Sequence, residues 1–271
     1  MTHIISLTTT PPRINNFIYS LNQLVPELPK DCHKIIINIP NNYRRFQPGH
    51  LNNFSLQTLQ KFKNKVELNV VSFDYGPLTK LIGGLEYLQK KSKQYCIVLI
   101  DDDIQYHKEY LYNIVNNCPR ICISSGSGFN IINGKYTPGF LNEINYIEGF
   151  SGIYIPHRLN NKLLQQFANF YKCLHPYYER DRNNLPQEVL LSCFMGDDFI
   201  ISHFYKNKLW TENNWRKNLI IQEYGLGSDA LMNNNIFGTN MGTYNFLIDN
   251  KKIFNQWINK LNVNNEIKSI Q

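Results

Sequence analysis

The first hundred or so positions of this chain alternate strand-like segments with segments of helical periodicity. Residues 3–7 form a short apolar run that suits a first strand, residues 34–39 suit a second ended by Pro40, and residues 66–72 a third. The most continuous run is residues 96–100, Cys-Ile-Val-Leu-Ile. Apolar runs without alternation suit strands buried on both faces, the kind found in parallel sheets. Between them, residues 16–24 place Phe17, Ile18, Leu21 and Leu24 at helical spacing, and residues 51–62 suit another helix. Gly76-Pro77 marks a turn that opens a third helix, carrying Leu78, Leu81, Ile82, Leu85 and Leu88. This reading predicts an α/β fold.

Beyond residue 104 the pattern is less regular. A helix is expected over residues 109–116, a strand over 121–124, and a hairpin over 130–138 around Asn133-Gly134. Residues 159–171 suit a helix with Leu163, Leu164, Phe167 and Phe170 inward, and residues 199–204 another. From Trp210 the chain is Asn-rich and weakly periodic until residues 253–261. No internal repeat or linker interrupts it, so a single domain over residues 1–271 is expected.

The chemistry concentrates where apolar runs end. Residues 96–100 lead straight into Asp101-Asp102-Asp103, just past the strand end where open α/β sheets place ligands. Asp101 and Asp103, one residue apart, can turn to one side and hold a hard divalent cation through oxygen. The alternative is that three acids simply solubilise a turn, but a charge cluster behind a buried strand needs a metal or a cationic partner. Residues 8–13, Thr-Thr-Thr-Pro-Pro-Arg, gather hydroxyls and an arginine at the first strand end. They suit a nucleotide-contact loop or a Pro-stiffened connection. Lys80, in the first turn of the third helix, suits a phosphate, or else a snorkelling surface position. Gly149 and Gly152 flank Phe150 before a short strand, which suits a backbone close to a ligand such as a sugar, or a bulge. Asp197 and Asp198 open a helix, where the macrodipole favours their charge. Capping explains one of them, not both.

Composition narrows the class. Hydrophobic residues at 42% and charged residues at 18% describe a globular chain. A formal net charge of +7 points to anionic partners, but the basic residues are scattered, which fits an anion pocket and no nucleic-acid track. The 6 cysteines form no Cys-x-x-Cys pair, so free thiols in a reducing compartment are expected. No signal peptide is expected, and no segment approaches the about 20 apolar residues of a membrane span. A soluble, cytoplasmic protein is the expectation.

Together these blocks resemble the GT-A type of nucleotide-sugar glycosyltransferase, near the large family-2 group. The resemblance rests on residues 6–13, 74–81 (Asp-Tyr-Gly-Pro-Leu-Thr-Lys-Leu), Asp101-Asp102-Asp103, residues 149–152 and Gly196-Asp197-Asp198. It implies a Rossmann-like, mostly parallel central sheet flanked by helices, with a small antiparallel acceptor-side portion. Residues 1–104 would be the nucleotide half and 105–271 the acceptor half. By the same resemblance Thr8, Arg13 and Asp74 would contact the nucleoside, and Lys80 the diphosphate. Asp101 and Asp103 match the family's Asp-x-Asp, with Asp103 as direct ligand of manganese or magnesium and Asp102 beside them. Asp198, or Asp197, matches the catalytic base of inverting members. Gly149, Phe150 and Gly152 would line the substrate. The implied activity is transfer of a hexosyl or N-acetylhexosaminyl group from a UDP-sugar to a glycan, protein or lipid hydroxyl. The late histidine that many members add to the metal has no clear match, His175 and His203 standing in no obvious motif.

Three rivals were set against this. A nucleotidyltransferase on a similar scaffold would want a Gly-rich, basic first loop, unlike residues 8–13. A viral-type RNA polymerase would put Gly-Asp-Asp in a hairpin and needs a longer chain. A catalytically silent carbohydrate-binding or assembly protein would not need both acidic clusters.

Overall fold

The computed structural model describes residues 2–43, 53–91, 95–104, 106, 111–112, 116, 123–125, 128–132, 135–138, 146–147, 149–157, 197–204 and 209–211. The expected helix at 159–171 and the periodic stretch at 253–261 lie outside these. The first half is β1 (His3–Thr8), α1 (Ile14–Leu24), β2 (Cys32–Pro40), α2 (Asn53–Gln60), β3 (Val66–Val71), α3 (Thr79–Gln89) and β4 (Cys96–Leu99). There follow β5 (Ile123–Ser125), β6 (Gly128–Ile132), β7 (Lys135–Pro138), β8 (Tyr146–Ile147), β9 (Ile153–Ile155), α4 (Asp197–Phe204) and β10 (Leu209–Thr211). Of the helix expected at 109–116, residues 111, 112 and 116 are helical and the others lie outside the described set.

Among the described residues, seven strands form one sheet in the order β10-β5-β9-β4-β1-β2-β3, and β7-β6-β8 form a small antiparallel sheet. β3, β2, β1 and β4 run parallel, as expected for β4 from its apolar run and for the sheet from the resemblance. β9 alone runs against its neighbours β4 and β5. The mostly parallel central sheet with a smaller antiparallel part agrees with the expected architecture. β6 and β7 pair from Ile132 and Lys135 outward, the hairpin expected around Asn133-Gly134. Pro40 does not end β2 early: it is the last paired residue, opposite Val71, where its missing donor costs nothing.

Helices cover both faces. Ile5, Leu7, Ile35, Ile37 and Val98 pack with Ile14, Phe17, Leu21 and Leu59 of α1 and α2. The buried spacing Ile14, Phe17, Leu21, Leu24 gives α1 one apolar stripe. The alternate positions Ser6, Asn38 and Ile97 face α3, whose Gly83 and Gly84 lie directly over them. No helix among the described residues is long and apolar enough to cross a membrane.

The topology fixes where a ligand belongs. From β1 the chain steps outward to β2 and β3, then returns to place β4 on the other side of β1. Strand order therefore reverses between β1 and β4, and the crevice beyond their carboxyl ends is the place where such sheets bind ligands. Residues 8–13 leave β1 there, and Asp101 follows β4 there. Because β9 is antiparallel, its first residue Ile153 pairs with the last residue of β4, Leu99. That brings residues 149–152 to the same edge.

Candidate active site

The strand-end acids lie in a turn, so the two-residue alternation of a strand no longer governs them. Asp101 faces Lys80, its Oδ1 2.6 Å from the Lys80 Nζ. Asp102 and Asp103 both face the Arg13 guanidinium, Asp102 Oδ1 at 2.9 Å and Asp103 in closer contact. Asp101 and Asp103 thus each face a different protein cation, Lys80 and Arg13. The Asp101 N–H donates to Tyr106 Oη at 3.1 Å, which pins the start of the turn.

Lys80 is neither a snorkelling nor an exposed lysine. It is 3% exposed, and its ammonium also stands 2.8 Å from Asp197 Oδ2. Burial works against its charge, but Asp101, Asp197 and Asp198 overcome that and hold its pKa well above the ordinary value. An unpaired buried ammonium would cost several kcal/mol, so these carboxylates are a condition of its burial. Lys80 therefore joins the strand-end acids to the acids that open α4. In the same way Arg13, although largely desolvated, is kept firmly charged by Asp102, Asp103 and Asp101.

The second acid pair is held by α4 and the glycine turn. Ser202 of α4 accepts the Ile147 N–H at 2.9 Å, tying the helix to β8 just before that turn. Gly149 to Ser151 form a 3₁₀ turn closed by a Gly152 N–H to Gly149 C=O bond of 2.8 Å. Gly152 adopts φ 76°, a conformation open to glycine at little cost. A Cβ on Gly149 would overlap Asp198 Oδ1 and stand 3.4 Å from Lys80 Nζ. The Gly149 N–H donates to the Asp198 carboxylate. The glycines thus do permit a close approach, with Asp198 as the neighbour. Phe150 lends its backbone to the turn, and its side chain lies outside the described residues.

Five carboxylates, Asp101, Asp102, Asp103, Asp197 and Asp198, share two cations, Arg13 and Lys80. Burial is the main influence on the protonation of these acids, ahead of their mutual repulsion. Burial raises Asp102 against the pull of Arg13, and raises Asp197 against the pull of Lys80. Burial pushes Asp103 up to about 7, opposed by Arg13 and assisted by Asp102 and Asp101. Burial and then Asp197 push Asp198 well above the carboxylate range, with Lys80 opposing.

Two predicted contact residues are occupied with structure. The Thr8 hydroxyl donates to the Asn38 C=O at 2.8 Å, bridging β1 to β2. Asp74 is buried and its Oδ1 accepts the Gly76 N–H at 2.9 Å. It closes the turn whose Gly76 has φ 61° and which leads into α3. Tyr43 was missed by the sequence reading. It is buried, donates to the Thr9 C=O at 2.8 Å, and has its hydroxyl pKa raised by burial and by nearby Asp74 and Asp102. Its only sequence signal is an aromatic shortly after a strand end. Tyr106, which holds Asp101, was missed likewise.

The donor set suits a hard cation: carboxylate oxygens only, in negative excess, at a ligand-binding sheet edge. Among the described residues no group of three or more His, Cys, Asp or Glu side chains is set to hold a metal by itself. Water and a diphosphate would have to supply the remaining ligands, which is common for magnesium-type sites.

No protein-family model matches the chain, and no curated protein matches it in sequence. Among solved structures, the galactosyltransferase LgtC in complex with donor and acceptor sugar analogues is similar at 8% identity and TM-score 0.44, over 79% of this chain and 73% of that one. The bifunctional glycosyltransferase WbbM in its apo form is similar at 12% identity and TM-score 0.39, over 85% of this chain and 44% of that one.

Proposed function

We propose that the chain is a metal-dependent glycosyltransferase that moves a hexosyl or N-acetylhexosaminyl group from a UDP-sugar to an acceptor hydroxyl, with inversion. The observation that carries this reading is the meeting of two acid clusters, from the end of β4 and the start of α4, around one buried lysine at the switch point of the sheet. One cluster suits the donor and the other the acceptor.

Asp101 and Asp103, with Asp102 beside them, would hold manganese or magnesium. When bound, the ion supplies positive charge toward the departing diphosphate. Arg13 and Lys80 stabilise the carboxylates and keep the edge of the sheet from carrying its full negative charge. Asp198 acts at the acceptor. It takes the hydroxyl proton as that oxygen bonds to the anomeric carbon, and the carbon–oxygen bond to the diphosphate breaks, its electron pair leaving with the phosphate. Attack on the face opposite the leaving group inverts the centre. Burial and Asp197 raise the proton affinity of Asp198, the direction that favours a general base, while the Lys80 ammonium and the Gly149 N–H oppose part of that rise. Thr8 and the buried Asp74 and Tyr43 would lie on the nucleoside side, and the residue 149–152 turn would border the sugar.

A panel of nucleotide sugars, scored for released nucleoside diphosphate with manganese, magnesium or EDTA, tests the proposal. Release from one uridine donor that EDTA abolishes is the expected result. Release that is indifferent to EDTA would overturn the metal assignment. Silence with every donor, together with no thermal shift from UDP plus manganese, would favour a non-catalytic scaffold.

A further inference from the structure

Three polar side chains interrupt the apolar face of the sheet beneath α3, and none of them belongs to the acid clusters. Ser6 and Asn38 are 0% exposed and Asn69 is 7% exposed. They form a row across β1, β2 and β3. Asn69 Nδ2 donates to Asn38 Oδ1 at 2.9 Å and to the Gly83 C=O at 2.9 Å. Asn38 Nδ2 donates to Ser6 Oγ at 2.8 Å, to the Leu7 C=O at 2.9 Å and to the Lys80 C=O at 3.4 Å. Ser6 Oγ completes the row by donating to the Lys80 C=O at 2.6 Å.

The helix is cut to fit this row. A Cβ on Gly83 would overlap the Asn38 side chain, and one on Gly84 would stand 2.5 Å from Ser6 Oγ. Two adjacent glycines in a helix interior are unfavourable by about 1 kcal/mol each relative to alanine. Apolar side chains in the strands with alanines above them would hold the helix as well without that cost. A buried polar network is better suited to selecting one register than to adding stability. The register selected here is that of Lys80: its carbonyl is gripped from below while its ammonium reaches both Asp101 and Asp197.

We propose that Ser6, Asn38 and Asn69 are positioning residues, which lock the first turn of α3 so that Lys80 spans the two acid clusters and holds them at a fixed separation. Its effect on turnover rests on the glycosyltransferase reading, whereas its effect on Lys80 does not. No member of the row touches a reacting group.

The test compares wild type with Ser6→Ala, the smallest change, and Asn38→Leu, which keeps the number and branching of side-chain heavy atoms. Each is pulsed with an amine-acylating reagent, and acylation of Lys80 is mapped by mass spectrometry alongside circular dichroism and thermal melting. In the wild-type chain Lys80 is protected. In a folded variant, acylation of Lys80 rises roughly tenfold while the exposed lysines react unchanged. Where turnover is measured, kcat falls on the order of tenfold with donor KM within about twofold, because misplacement affects the transition state more than ground-state binding. A row that serves stability alone would lower the melting temperature and leave Lys80 protected in every variant that folds. That result overturns the proposal. If wild type turns over no donor, the functional reading fails, and the acylation measurement still decides this one. Should Asn38→Leu not fold, Ser6→Ala decides.

Discussion

Asp198 and Gly149 interlock: the Asp198 carboxylate fills the space where a Gly149 side chain would begin, and the Gly149 N–H donates to it. The glycine is therefore a spatial requirement of the second acid cluster. Gly149→Ala should push Asp198 out of place while sparing the strand-end acids. The expected outcome is a loss of turnover on the order of 100-fold with manganese-dependent UDP binding unchanged. Steady-state kinetics beside calorimetric titration separates the two quantities. Normal turnover would show that Asp198 does not act where it stands.

Asp103 carries the strand-end side of the account. Asp103→Ala should abolish the manganese dependence of UDP binding, leaving only the weak binding seen in EDTA. Titration of UDP with and without manganese measures this directly. Undiminished affinity in the presence of manganese would move the metal away from Asp103.

The folded chain in EDTA should lose stability as pH rises from about 4 to about 7. The sign follows from Asp103, whose folded value of about 7 lies above an unfolded value of about 3.9. Its contribution is complete below the unfolded value and is lost as pH rises through the folded one, because the unfolded state gives up its proton first. Asp102, Asp197 and Asp198 are shifted in the same direction. Melting temperatures across this range should fall in EDTA and flatten with manganese. A rising curve in EDTA would contradict the upward shifts that burial gives these acids.

Much of this architecture was legible in the chain because parallel strands buried on both faces leave mostly apolar runs, as β1, β2 and β4 did, whereas β3 at the sheet edge is only partly buried. The acids were legible as ligand-edge residues, since Asp101 follows such a run without a break. What each acid faces was not. Asp101 and Asp103 face Lys80 and Arg13, partners that come from distant parts of the chain. Lys80 was placed correctly in its helix, yet its burial depends on Asp197, which reaches it only through the tertiary fold. β9 left no mark of its direction, because a three-residue strand takes its sense from its partners. Ser6, Asn38 and Asn69 looked like breaks in apolar runs, although Gly83-Gly84 in a helical pattern was a signal of close approach that could have been paired with them.

Gly83 provides a stability test of that close approach. Gly83→Ala ordinarily gains about 1 kcal/mol of helix propensity. Here its Cβ would meet Asn38, and overpacking of about 1–3 kcal/mol should outweigh the gain. Denaturant unfolding should give a net loss of up to about 2 kcal/mol. A stabilised variant would mean that α3 sits farther from the sheet.

The central claim is that the two acid clusters divide the work, the strand-end acids serving the donor and Asp198 the transfer. Asp198→Asn tests it most directly, because the amide keeps the size of the side chain and removes its basicity. Single-turnover transfer from the bound donor should fall by about 10²- to 10⁴-fold, with affinity for UDP and manganese unchanged. Near-normal transfer by Asp198→Asn would contradict the account, and equal loss of donor binding would show that the clusters are not separate in function.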